Sequence, residues 1–240
     1  STQLNGNVGV SGQALFANST NSTTAFQVQN ATGSSLFGID TTNNLITIGG
    51  NNSGALQAWA STTPISTGGQ VRRDHTTVTA NGYMYVIGGT DSVGTSQTGV
   101  LRAKINTDGT IASTWTSQAG GPTRTQHTSV VANGYIYVIG GSDGSNVTNS
   151  VYYARINSDG SLGSWNTTTG INTSATDRLR VRHTSVTANG YVYVIGGYDG
   201  SSVVDSVYFA KLNSDGTVGS WSSANSINVS GSQIRVDHSS

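Results

Sequence analysis

Cysteine and glutamate are both absent from this 240-residue chain, and only two prolines, one methionine and two lysines occur. Without cysteine there is no disulfide, no thiolate metal site and no thiol nucleophile. Without glutamate, all side-chain carboxyl chemistry rests on eleven aspartates, and nine arginines and two lysines balance these to a net charge of zero. A neutral chain with only 9% charged residues has no basic field with which to bind nucleic acid. No apolar run approaches the ~18 residues of a membrane span. No secretory leader opens the chain, as in a mature secreted product. The helix formers Glu, Lys, Leu and Met are all scarce, while Ser, Thr, Asn, Gly, Val and Tyr dominate. That balance predicts strands joined by tight turns and almost no helix.

The scarce residues that are present fall in register. The four histidines are His75, His127, His183 and His238, and the four tryptophans are Trp59, Trp115, Trp165 and Trp221. Both series mark a repeat of about fifty residues, the period of propellers and other repeat arrays. Arg72, Arg124 and Arg180 each open a copy. Asn-Gly pairs at 81–82, 133–134 and 189–190 separate two β-rich runs, the sequence of a type I′ hairpin. Strand a therefore reads His-Thr-Ser/Thr-Val-x-Ala and strand b reads Tyr-x-Tyr-Val-Ile-Gly-Gly. Strand b is apolar on both faces, so it is expected between neighbouring sheets, with Val86, Ile87, Val138, Ile139, Val194 and Ile195 deepest. Strand c begins at Val100, Val151 and Val207. An Asn-x-Asp-Gly turn follows in each copy, and strand d is expected to end at the tryptophan.

This unit, with Gly-Gly after strand b and a late tryptophan, resembles the kelch repeat over residues 51–240. The resemblance implies an all-β fold of four-stranded β-propeller blades. Three a-to-d sets are complete. A leading strand d at 51–59 and the start of another strand a at 235–240 flank them, as expected for a fragment of a larger ring. Open edges at both ends predict self-association. Residues 1–50 lack the repeat and form a separate β-rich segment, similar to the stalks of phage fibres and bacterial surface proteins. A β-rich linker is the alternative. The basic residue on strand c (Lys104, Arg155, Lys211) is not carried over from the family.

Candidate chemistry concentrates in the arginines. Arg72, Arg124, Arg180 and Arg235 stand three positions before each histidine, where the resemblance places the mouth of the propeller channel. A ring of guanidinium groups there would capture carboxylates, phosphates or acidic sugars. Strict copying points equally to a packing role. Arg73 and Arg182 break the repeat, and a ligand without rotational symmetry needs residues that differ between blades. The expected ligand-binding set is thus Arg73 and Arg182 beside Arg72, Arg124 and Arg180. The histidines are too dispersed around a ring to share one metal ion, and the Asn-x-Asp-Gly loops lack the ligand set of a calcium loop and read as turns. No metal site, cofactor or catalytic residue is expected. The kelch-like copper oxidases need a cysteine-linked tyrosine that this chain cannot make.

These features predict an extracellular, cell-surface, non-enzymatic adhesion protein that binds a glycan or protein partner through the propeller mouth, without nucleic acid and without a membrane span. Two alternatives stand beside it. One is an assembly element of a fibre or surface layer that uses open blade edges. The other is an enzyme on acidic sugars, similar to the kelch-fold sialic-acid mutarotases.

Overall fold

The computed structural model describes residues 20–22, 25–29, 31, 35–42, 44–48, 61–65, 71–171, 179–227 and 235–237. The chain divides into two units, residues 1–61 and 62–240. Among the described residues there is no helix, and so none long and apolar enough to cross a membrane.

The first unit holds an antiparallel sheet of β1 (Phe26–Gln29), β2 (Ser35–Asp40) and β3 (Leu45–Ile48). The turn expected at 41–44 joins β2 to β3, with Asp40 opposite Leu45 and Asn44 at φ 55°. Phe26 and Phe37 meet edge to face at 6.0 Å across β1 and β2. The apolar runs at 7–10 and 14–16 lie outside the described residues.

Among its described residues the second unit contains three sheets, each four antiparallel strands in sequence order. Blade 1 is β4 (Thr76–Ala80), β5 (Tyr83–Ile87), β6 (Val100–Lys104) and β7 (Thr116–Gln118). Blade 2 is β8 (Thr128–Ala132), β9 (Tyr135–Ile139), β10 (Val151–Arg155) and β11 (Asn166–Thr168). Blade 3 is β12 (Thr184–Ala188), β13 (Tyr191–Ile195), β14 (Val207–Lys211) and β15 (Ser222–Ala224). Each Asn-Gly pair has positive φ at both residues, as at Asn133 (52°) and Gly134 (79°), which meets the backbone demand of a type I′ turn. The strands a, β4, β8 and β12, lie beside one another from blade to blade.

The blades pack face to face. Tyr85, Ile87 and Val100 of blade 1 meet Ile136, Val138 and Ile156 of blade 2, with Tyr152, Leu162 and Trp165 at the margin. Tyr137, Ile139 and Val151 of blade 2 meet Val192, Val194, Tyr208, Leu212 and Trp221 of blade 3 in the same way. Five of the six strand-b residues expected to be deepest are inaccessible to solvent; Ile195 is only half-buried. The reason is positional. Tyr193, Ile195 and Val207 lie on the far face of blade 3, against which no other described sheet packs, so their counterparts in blades 1 and 2 are covered and they are not.

Strand d differs from expectation in one respect: it begins after the tryptophan. Ile156 pairs with Leu162 in an isolated bridge, whereas Tyr153 pairs with Asn166. One extra residue therefore stands between the two pairings, a bulge that ends the hairpin before Trp165 and restarts the strand behind it. Trp115 and Trp221 are buried and donate their indole N–H groups to the carbonyls of Thr63 (3.4 Å) and Thr169 (2.9 Å). Trp59 and residues 51–60 lie outside the described residues. Thr62 nevertheless stands in the slot of Gln118 and Thr168. Its Oγ1 accepts from Ile111 N–H (2.9 Å), as Gln118 Oε1 accepts from Leu162 (3.2 Å) and Thr168 Oγ1 from Val218 (2.8 Å).

Candidate functional site

The Gly-Gly after strand b forms the corner at which one blade receives the next. Both glycines have positive φ, for example 62° at Gly140 and 88° at Gly141. A Cβ on Gly140 would lie 2.6 Å from the Arg180 carbonyl oxygen, and one on Gly88 would collide with the Arg124 carbonyl. Glycine is thus required twice over, by backbone conformation and by close approach. The second glycine donates its N–H to the arginine carbonyl of the following blade: Gly89 to Arg124 (2.8 Å), Gly141 to Arg180 (2.7 Å) and Gly197 to Arg235 (2.9 Å).

The repeated arginine side chains brace strand c. Arg124 donates through Nη2 to Ser150 Oγ (2.8 Å) and to Tyr152 OH (3.0 Å), and its guanidinium lies 5.0 Å from the Tyr152 ring centroid. Arg180 repeats this with Ser206 Oγ (2.6 Å) and the Tyr208 ring (5.3 Å) and is fully buried. Blade 1 has Gly99 and Leu101 in those slots, and Arg72 there donates to Gly88 O (3.0 Å) and is less deeply buried.

The residue before each histidine is in the left-handed region although none is glycine: Asp74 (φ 56°), Gln126 (54°), Arg182 (55°) and Asp237 (57°). A backbone ladder imposes this. Gln126 N–H donates to Asp74 O, Arg182 N–H to Gln126 O and Asp237 N–H to Arg182 O, each at 3.0 Å. The histidines follow the ladder inward. His127 Nε2 is hydrogen-bonded to Thr76 Oγ1 of blade 1 (2.7 Å), and His183 Nε2 to Thr128 Oγ1 of blade 2 (2.8 Å). Each of these threonines also bonds a serine of the next strand a, Ser129 and Ser185, at 2.6 Å. Burial, then the positive Arg124 and His75, pushes His127 from 6.5 down to about 3, so it is neutral at physiological pH. His238 lies outside the described residues.

The aspartates of the loops are turn-formers. Asp108, Asp159 and Asp215 each accept the side-chain hydroxyl and the N–H of the residue two positions on, Thr110, Ser161 and Thr217, and these bonds hold the carboxyls below the usual range. Asp143 accepts N–H groups from Ser145 and Asn146, and Asp199 from Ser201 and Ser202.

Above the Gly-Gly corner the backbone is copied but the side chains are not. Each blade carries two isolated bridges at its rim: Arg73–Thr90–Ser96, Thr125–Ser142–Val147 and Val181–Tyr198–Val203. At the junction of blades 2 and 3 this rim encloses an open cleft of about 400 Å³. Gln126, Ser142 and Val147 line it from blade 2. Val181, Arg182, Tyr198 and Val203 line it from blade 3, with Val236 of the following segment. Arg182 is 48% exposed and faces Asp237 at 3.8 Å through Nε.

The five arginines singled out in the sequence therefore part company. Arg124 and Arg180 are buried braces. Arg72 and Arg73 border a hollow of about 130 Å³ beside Thr90 and Asp91, and Arg182 lines the larger cleft. Gln126, Val147, Tyr198 and Val203 were not singled out. The signal that marks them is the same one that marks Arg182: aligned slots whose residue type changes from blade to blade.

Three segments of the chain, residues 72–101, 123–153 and 179–208, match the Kelch motif. Each runs from the arginine slot through strands a and b into strand c, and so spans the Gly-Gly corner and the rim. No curated protein matches the chain as a relative. The three four-stranded sheets are blades of the β-propeller type that match kelch repeats.

Proposed function

We propose that this protein is an extracellular, non-enzymatic binding and adhesion module that holds a glycan or protein partner at the rim where strands a begin, with the cleft between blades 2 and 3 as its site. One observation carries the reading. Residues that hold the blades together are copied from blade to blade, while Gln126, Arg182 and Tyr198 stand in slots where the type changes. A packing role repeats with the repeat; a role toward an asymmetric ligand does not. The cleft pairs an accessible guanidinium with an aromatic ring, and guanidinium groups favour carboxylates. The copied carboxylates are occupied by their own turns, which favours binding over carboxylate catalysis. In this reading residues 1–50 act as a stalk. The test is a screen of immobilised acidic glycans and acidic peptides against the full chain and its Arg182→Ala variant. Binding that survives the substitution unchanged contradicts the reading.

A second reading has its own support. The half-buried Tyr193, Ile195 and Val207 on the far face of blade 3 favour self-association into a fibre or surface layer. Sedimentation velocity over a concentration series tests it: a size that does not change with concentration removes it.

A further inference from the structure

We infer that the cleft between blades 2 and 3 accepts an aliphatic side chain adjoining a carboxylate, and therefore a segment of a protein partner rather than a sugar; this rests on the cleft being the binding site. Comparison with the equivalent junction of blades 1 and 2 carries the inference. There the slots of Val147, Val181 and Arg182 hold Ser96, Thr125 and Gln126. On one backbone frame, the second junction has exchanged hydroxyls for methyl groups and gained a cation.

The polar inventory of the cleft points the same way. Tyr198 donates its hydroxyl to Gly200 O (3.0 Å), and Ser142 Oγ accepts from Gly144 N–H (3.2 Å), so both are engaged within their own loops. What faces a ligand is the Gln126 amide, the Arg182 guanidinium and the apolar wall of Val147, Val203 and the Tyr198 ring. A sugar ring carries hydroxyls on every edge and would leave several unpaired against that wall. An aliphatic side chain fills it and leaves no polar group unpaired. The guanidinium already faces a carboxylate, that of Asp237, through one nitrogen at 3.8 Å with both groups largely in water. Such an exposed pair is weak. Asp237 thus stands where an incoming aspartate or glutamate would compete, and a bidentate carboxylate displaces it.

The full chain is titrated with short synthetic peptides centred on Leu-Asp or Leu-Glu, their Leu-Asn and Leu-Gln counterparts, and Ser-Asp controls. An array of sialylated and uronate-containing glycans is probed in parallel. The Leu-acid peptides bind, and the amide counterparts bind at least about tenfold more weakly. Arg182→Ala abolishes that distinction. Val147→Ser, which installs the residue blade 1 carries, weakens binding about fivefold while keeping the preference for the acid, and Asp237→Asn strengthens binding about two- to fivefold. Arg182-dependent binding of acidic glycans without peptide binding overturns this inference and leaves the proposed function standing. So does peptide binding indifferent to Leu against Ser. Binding of neither probe, or binding unmoved by both Arg182→Ala and Val147→Ser, overturns both.

Discussion

At the Gly-Gly corner, neighbouring blades meet through the same groups each time: a glycine N–H on an arginine carbonyl, a histidine on a threonine, and a guanidinium bracing strand c in blades 2 and 3. A few residues away at the rim, the same backbone bridges carry Thr90, Ser142 and Tyr198 in one slot and Ser96, Val147 and Val203 in another. The corner and the rim belong to one fold and one repeat. The difference teaches that copying marks the contacts that hold blades together and variation marks positions released from that role, even for one residue type: Arg180 is fully buried and Arg182, two positions on, is 48% exposed.

The corner breaks most easily at its glycines. Gly140→Val adds bulk where a Cβ already lies 2.6 Å from the Arg180 carbonyl, at a φ of 62°. The expected cost is about 4 kcal/mol or more, read by chemical denaturation. The turn glycine Gly134 has nothing within 4 Å of its Cβ position, so Gly134→Ala costs about 1 kcal/mol from backbone strain alone. Equal losses at the two sites would contradict the close approach of blades.

The middle blade and the last blade give the next largest contrast. Ile139→Ala removes a fully buried side chain between blades 2 and 3 and should cost about 2–4 kcal/mol. Ile195→Ala, at the same place in a near-identical strand but half-buried, should cost about half as much. A loss at Ile195 that matches Ile139 would mean that its face is covered in solution.

That contrast also shows where the sequence was legible and where it was not. Tyr191-Val-Tyr-Val-Ile and Tyr135-Ile-Tyr-Val-Ile read alike, because burial of a strand depends on what packs beside it and no local pattern records that. The hairpins were legible because Asn-Gly fixes a turn by its own backbone preference. The left-handed residues before the histidines were not: Asp74, Gln126 and Arg182 share no local signal, and their conformation is imposed by the ladder between blades. Arg182 was marked by breaking the repeat. The cleft around it was not, since its walls come from two blades and become neighbours only at a junction.

Acid should loosen the corner. His127 is neutral in the folded protein down to about pH 3, whereas in the unfolded chain it binds a proton near its ordinary 6.5. The unfolded state therefore holds more protons between those values. Stability is full above about pH 6.5 and falls with acidification by up to about 1.4 kcal/mol per pH unit for this histidine, or about 2 kcal/mol by pH 5. His75, also lowered mainly by burial, adds in the same direction. Replacing His127 by glutamine should flatten the profile measured by urea denaturation from pH 7 to 5. An unchanged slope would contradict the buried neutral histidine.

The most direct measurement sets two arginines against each other. Thermal unfolding and peptide or glycan binding are recorded for the full chain, Arg124→Ala and Arg182→Ala. Arg124→Ala, which loses two hydroxyl partners and an aromatic face in the interior, should destabilise by about 2 kcal/mol. Binding by its folded fraction should be unaffected. Arg182→Ala, which loses only an exposed pair with Asp237, should change stability by less than about 0.5 kcal/mol and abolish recognition of acidic ligands. A stability loss at Arg182 equal to that at Arg124, or ligand recognition that depends on Arg124 and not on Arg182, would contradict the division between a corner that holds and a rim that binds.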